Sequence, residues 1–170
     1  MRKEFKLTVA PNGARRQKAD HAALPVSTLE IVKVAQDCFQ AGADEIHLHV
    51  REDDGSHSLD VGRYEEAIKA ISEAVPAMSI QVTTESAGVF SVQEQYDCLL
   101  KLRPAAASIS VREMSRDVDW AKRVYALSAE TQTIVQHILY STDCVKQLLD
   151  WRVRGIVPNT MSDVIFVLGQ

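Results

Sequence analysis

The sequence predicts an α/β fold in which parallel strands are joined by helical crossovers. Stretches of strand periodicity alternate with stretches of helical periodicity along the chain. Strand centres, from Leu7 to Phe166, recur about every 32 residues, the length of a right-handed parallel crossover. No linker or low-complexity tract interrupts the alternation. Two architectures satisfy such a pattern, an open doubly wound sheet and a closed barrel. Eight repeats of this length would fill roughly 256 residues, close to the usual TIM (β/α)8-type barrel. The 170 residues therefore read as a single partial TIM-barrel domain over 1–170, holding about the first six strands and five helices of that barrel.

Residues 5–10 form the first strand, stopped by the turn-favouring Pro11-Asn12-Gly13. Ser27 opens a helix with Glu30 three residues later, a capping box, and Ile31, Val34, Ala35, Cys38 and Phe39 recur at helical spacing up to Gly42. The second strand, 45–50, leads into the polar loop Arg51-Glu52-Asp53-Asp54-Gly55. Asp60 opens the next helix, whose apolar positions Tyr64, Ala67, Ile68 and Ile71 run to Pro76, and 78–83 is the third strand. A helix near 92–101, a strand at 106–111, a helix at 118–127, a strand at 132–139, a helix at 142–154 and a strand at 164–168 complete the series. The ending, an apolar strand followed by the turn residue Gly169, reads as an interrupted unit. Left bare, the first and sixth strands would invite aggregation or pairing with another chain.

Nineteen Lys and Arg against 23 Asp and Glu leave a net charge of −4, so the molecule as a whole does not attract nucleic acid or an anionic membrane. Apolar runs are far shorter than a bilayer span and the start lacks a signal-peptide core, so a cytoplasmic location is expected. Cys38, Cys98 and Cys144 lack C-x-x-C spacing, which fits buried thiols in a reducing compartment and excludes a thiolate zinc cluster.

The most informative residues are His47-Leu48-His49-Val50-Arg51, at the carboxyl end of the second strand. Alternation turns Ile46, Leu48 and Val50 toward helices and His47, His49 and Arg51 toward the barrel axis. Two neutral imidazoles aimed at the catalytic end of a strand can chelate a divalent cation, zinc by default. The competing reading is a pair of hydrogen-bonded core histidines. His137 and Glu85 offer no clear third ligand, because the facing of His137 is not fixed by its neighbours. His21 reads as a loop-ordering residue and His57 as solvated. Thr83, Thr84, Ser108 and Ser110 place hydroxyls at the same rim, where they could hold a substrate carboxylate or carbonyl oxygen or simply fill a narrow interior. Arg15, Arg16, Arg51 and Arg112 are candidate anion binders, with Arg51 the best placed. Glu85 and Glu113 are acid–base candidates that more commonly close ion pairs.

Taken together, Ala10-Pro11-Asn12-Gly13-Ala14, Ala19-Asp20-His21 to Leu24-Pro25, Gly42-Ala43 with His47-Leu48-His49-Val50-Arg51, Asp54-Gly55 to Leu59-Asp60, Ile80-Gln81-Val82-Thr83-Thr84 and Phe166-Val167-Leu168-Gly169 resemble the beta-keto acid cleavage enzyme family. Its best-known member is 3-keto-5-aminohexanoate cleavage enzyme. The resemblance is most specific from the Pro-Asn-Gly loop to Arg51 and looser after Arg112. It implies a zinc-dependent barrel, an acyltransferase exchanging groups between a beta-keto acid and acetyl-CoA to give acetoacetate and a new acyl-CoA. The expected partners are those two substrates and further copies of the chain. His47 and His49 match the family's two zinc-binding histidines. Thr83 falls where the lysine-pathway member has a substrate-binding serine, and Ser108 where it has a threonine. Arg15 stands in place of a glutamate of that member, and residues 136–140 lack its carboxylates, which implies a keto acid without an amino group. The family's third zinc ligand, a glutamate, its aspartate base and a substrate-binding arginine belong to a later strand that would lie beyond Gln170. The chain therefore reads as truncated at its C-terminus, with no catalytic residue of its own and with activity in doubt.

Two other readings stay open. One is a non-catalytic barrel fragment that binds metal weakly or pairs its open edges with another chain. The other is a metal-dependent hydrolase barrel, which also uses His-x-His, although there the pair usually sits on the first strand with further His and Asp ligands.

Overall fold

The computed structural model describes residues 5–168. Contact density divides the chain into two compact units, Met1–Val82 and Thr83–Gln170.

In the first unit β1 (Thr8–Val9) is followed by α1 (Thr28–Gln40), β2 (Glu45–Leu48), β3 (Val50–Arg51), β4 (His57–Ser58), α2 (Val61–Ala74) and β5 (Ser79–Thr83), the last residue of which belongs to the second unit. β2 pairs in parallel with β1, Thr8 opposite Glu45, and with β5, from Glu45 opposite Ser79 to Leu48 opposite Val82. The capping box forms: the Ser27 hydroxyl accepts from the Glu30 N–H while the Glu30 carboxylate accepts from the Ser27 N–H. A hydrogen bond from Lys18, reinforced by the backbone N–H groups of Ser27 and Val26, holds the Glu30 pKa down to about 2. α1 and α2 bury Ile31, Ala35, Tyr64, Ala67 and Ile71, and the strands bury Ile46, Leu48 and Val82. Helical periodicity of apolar residues thus builds the core.

The second unit contains α3 (Val92–Leu102), β6 (Ala106–Ser110), α4 (Val111–Met114), α5 (Val118–Glu130), β7 (Ile134–Leu139), α6 (Thr142–Val153) and β8 (Asp163–Phe166). β7 pairs in parallel with β6, from Ala106 opposite Ile134, and with β8, from Gln136 opposite Asp163. Its core is aromatic: Tyr125 of α5 and Trp151 of α6 are fully buried with ring centroids 6.1 Å apart. Burying each such ring contributes on the order of 2–3 kcal/mol. Three of the four exposed side chains of β8 are apolar: beside Asp163, Val164, Ile165 and Phe166 are 37%, 38% and 60% exposed.

Parallel strands in chain order, each followed by a helix, make the chain a partial (β/α)8 barrel. Strand ends shift, the first strand being Thr8–Val9 rather than 5–10 and the last Asp163–Phe166 rather than 164–168, and two local features differ in kind from the sequence expectation. The polar run after the second strand is a hairpin, β3 pairing antiparallel with β4 through Val50–Ser58 and Arg51–His57. The fourth strand stops at Ser110, whose hydroxyl accepts from the Glu113 N–H to cap the short α4. Gly169 lies outside the described residues. Within them, no helix is long and apolar enough to cross a membrane.

Candidate active site

His47 is the third residue of β2, and its strand register places Gln81 of β5 directly opposite. The two side chains meet, His47 Nδ1 lying 2.7 Å from Gln81 Oε1. An amide oxygen only accepts, so Nδ1 carries the proton, and in the neutral ring Nε2 is the nitrogen with the lone pair. His49 follows the end of β2. Its ring sits 5.1 Å from that of His47, tilted by 55°, and 5.7 Å from that of His57. The residue is 3% exposed, and its Nδ1 has no hydrogen-bond partner. Burial, followed by the charges on His47, His57 and Arg51, holds the His49 pKa well below the ordinary imidazole value. Both rings are therefore suited to donate nitrogen lone pairs, and an orphaned buried nitrogen on His49 fits a cation-binding pair. Among the described residues no group of three or more His, Cys, Asp or Glu side chains is placed to hold a metal ion.

His57, expected to be solvated, is buried on β4. The hairpin causes this by folding the polar run back over the end of β2. The same hairpin corrects the reading of Arg51. Alternation from β2 does not extend to it, because the chain changes partner after His49 and Arg51 pairs with β4. Its guanidinium is buried and donates to four main-chain carbonyls: Gly55 at 2.8 Å, Gly13 at 2.7 Å, Arg16 at 3.0 Å and Asn12 at 3.2 Å. The fork expected to bind substrate thus clamps the loop carbonyls. Asn12, also buried, donates through Nδ2 to the carbonyls of Pro25 at 3.1 Å and His49 at 3.2 Å.

In the second unit the structure sorts the rim hydroxyls into two pairs. Thr83 Oγ1, at the end of β5, accepts from Ser108 Oγ of β6 at 3.2 Å and from the Glu85 N–H at 3.1 Å, with Thr83 and Ser108 buried. Thr84 and Ser110, expected to bind substrate with them, each bond the main chain. Thr84 donates to the Ser108 carbonyl at 3.3 Å, and Ser110 caps α4. Their neighbour Glu113 binds the Ser86 N–H and hydroxyl and the amide of Gln95, a buried residue of α3 that also donates to the Thr84 carbonyl. Glu113, an acid–base candidate from the sequence, accordingly anchors the loop after Thr83.

His137 is a core residue on β7. Its Nε2 lies 3.1 Å from the Met161 carbonyl and its Nδ1 3.5 Å from the Tyr125 hydroxyl. Burial pushes its pKa down to about 4, the Met161 carbonyl opposing. His21, Arg15, Arg16 and Arg112 are exposed, Arg112 lying 3.9 Å over the Tyr140 ring. A cavity of about 500 Å³ opens in the first unit against Arg51, Glu52, Asp53, Arg63 and Glu66, where Arg63 is already paired with Glu52 and Asp53.

Sequence reasoning missed Gln81, Asn12 and Gln95. Gln81 carried a usable signal, since it lies one strand–helix repeat after His47. Asn12 and Gln95 act through loop carbonyls that no periodicity marks.

Known proteins bear on this arrangement. Residues 5–170 match the family model for beta-keto acid cleavage enzyme. The 3-keto-5-aminohexanoate cleavage enzyme of Fusobacterium nucleatum subsp. nucleatum is 40% identical over 87 residues, 51% of this chain and 32% of that protein. The 3-oxoadipate:acetyl-CoA acetyltransferase of Cupriavidus necator is 33% identical over 119 residues, 70% of this chain and 40% of that protein. The matches thus span well under half the length of these curated relatives. Among solved structures, the apo structure of ObcA superposes with a TM-score of 0.61 over 86% of this chain and 36% of that one at 16% identity, a likeness of fold alone. With the model matched across nearly all of its length, the chain belongs to the beta-keto acid cleavage enzyme family.

Proposed function

We propose that the chain provides the two-histidine zinc-binding portion of an acyltransferase that exchanges groups between a beta-keto acid and acetyl-CoA, giving acetoacetate and a new acyl-CoA. The observation that carries this reading is the His47–His49 pair, 5.1 Å apart, with His47 oriented by Gln81, in a chain of this family. His47 and His49 would hold the Zn²⁺. When bound, the ion supplies Lewis-acid polarisation of the substrate's keto oxygen. Gln81 keeps the His47 proton on Nδ1 and so leaves Nε2 to donate. Thr83 and Ser108 take a substrate carboxylate or carbonyl oxygen through their hydroxyls. A catalytic zinc commonly uses three protein ligands, and the family resemblance assigns the third, with the base, to a later strand outside the described residues.

The substrate is a keto acid without an amino group, and a beta-keto diacid is the first to assay. Arg15 in place of a glutamate supports this, as does the relative named for 3-oxoadipate. Elemental analysis of the 170-residue chain should find one zinc, lost on His47→Ala or His49→Ala. Incubating a chain extended through the later strand with Zn²⁺, acetyl-CoA and a panel of beta-keto acids should release acetoacetate. No turnover with any of them rejects the assignment.

A second reading has its own support in the exposed apolar side chains of β8. In it the chain is a non-catalytic fragment that binds metal weakly and pairs this edge with another chain, a further copy included. Light scattering on the 170-residue chain separates the two, since a monodisperse monomer removes this reading.

A further inference from the structure

The rings of His47 and His49 are oriented by different means. A metal-binding imidazole ordinarily has its second nitrogen fixed by a hydrogen bond. His47 has that bond from Gln81, whereas His49 Nδ1 has none. With no bond at Nδ1, the His49 ring is oriented by the neighbouring His47 and His57 rings and by its main chain, and that main chain lies between β2 and β3. Its carbonyl accepts instead from Asn12 Nδ2. Asn12 is gripped in turn, because Arg51, two residues past His49, donates to the Asn12 carbonyl and to those of Gly13 and Arg16. One side chain of the 11–17 loop thus holds the His49 main chain, and one side chain beyond His49 holds the main chain of that loop. The latch is reciprocal and buried, Asn12 at 5% and Arg51 at 3% exposure.

We propose that Asn12 and Arg51 are positioning residues which, by locking the 11–17 loop to the His49 main chain, direct the His49 ring toward His47. A guanidinium is needed because a single planar group satisfies four carbonyls, and a lysine cannot span that fork. The cation preference of the pair is therefore set partly by a loop that contributes no ligand. This inference rests on the zinc reading for its meaning, but its first test does not use zinc.

The test compares the metal-free wild-type chain with Asn12→Ala and Arg51→Lys by long-range proton–nitrogen correlation NMR of the imidazole rings, with thermal melts to verify folding. The expected result is displaced or broadened His49 ring signals in both variants, while the His47 signals keep the Nδ1–H tautomer held by Gln81. Gln17→Ala is the control. Gln17 bonds the Gly55 carbonyl but neither Asn12 nor His49, so its His49 signals should match wild type. If Arg51→Lys proves unstable, Asn12→Ala decides alone. Zinc titration against a competing chelator should then show about 10- to 100-fold weaker binding in each variant. The double variant should be no weaker than the worse single one, because both changes open one latch. Unchanged His49 signals in folded variants overturn the proposal. A wild-type chain that binds no zinc rejects the function reading, leaving the spectra to decide the latch.

Discussion

His49 and His137 are both buried imidazoles near the end of a strand, and they differ in what surrounds their nitrogens. His137 has a partner at each nitrogen, a carbonyl on one side and a tyrosine hydroxyl on the other. His49 has none at Nδ1 and faces two further imidazoles. Burial lowers the pKa of both, so a depressed value alone does not distinguish a core residue from a ligand. The satisfied nitrogens make His137 part of the packing. The orphaned one leaves His49 with a nitrogen for the proposed cation.

The contrast can be broken most decisively at His49. His49→Ala should weaken zinc binding by about 1,000-fold, about 4 kcal/mol, as chelation by two donors falls to one, while denaturant midpoints move little. Isothermal titration with circular-dichroism melts measures both. His137→Ala should do the reverse. It leaves the Tyr125 hydroxyl buried without a partner, while the Met161 carbonyl keeps Arg152, and it opens a cavity, costing about 3 kcal/mol in urea unfolding with zinc affinity unchanged.

The pH dependence sharpens the same difference. The His137 pKa is about 4 in the folded chain, below its ordinary value near 6.5. The unfolded chain therefore takes up the proton first on acidification, and stability rises with pH across this window. The contribution is complete above about pH 6.5 and is lost as pH falls toward 4, by up to about 3 kcal/mol. Comparing wild type with His137→Gln in urea series from pH 7 to pH 4 should show a shallower slope in the variant, the remainder coming from other groups such as His49, whose pKa burial also lowers. The smallest effect belongs to Gln81→Leu, which frees the His47 ring without removing a donor. It should weaken zinc binding about tenfold, about 1.4 kcal/mol.

Most of the strand and helix order was legible in the sequence because parallel crossovers repeat a long, strongly periodic pattern and announce each helix with a cap such as Ser27 or Asp60. The hairpin was not, since two-residue strands in a charged run show no alternation. The Asp54-Gly55 dipeptide was its one available signal. Likewise Ser110 and Glu113 spell a capping box inside what reads as strand. The histidine pair and Ser108 were visible by alternation, and Thr83 by its place at a strand end. The main-chain partners of Arg51, Thr84 and Ser110 were not, because loops bring these groups together and leave no periodic trace.

Gly55 shows how narrowly one turn is constrained. Its φ is +82°, and a Cβ there would lie 2.6 Å from the Gln17 side-chain oxygen, while its own carbonyl receives both Gln17 and Arg51. A randomised library of the 53–56 turn selected only for zinc retention should consequently return glycine at the third codon and tolerate variety around it, recording in allele frequencies a demand set by the backbone angle rather than by the movable Gln17 side chain.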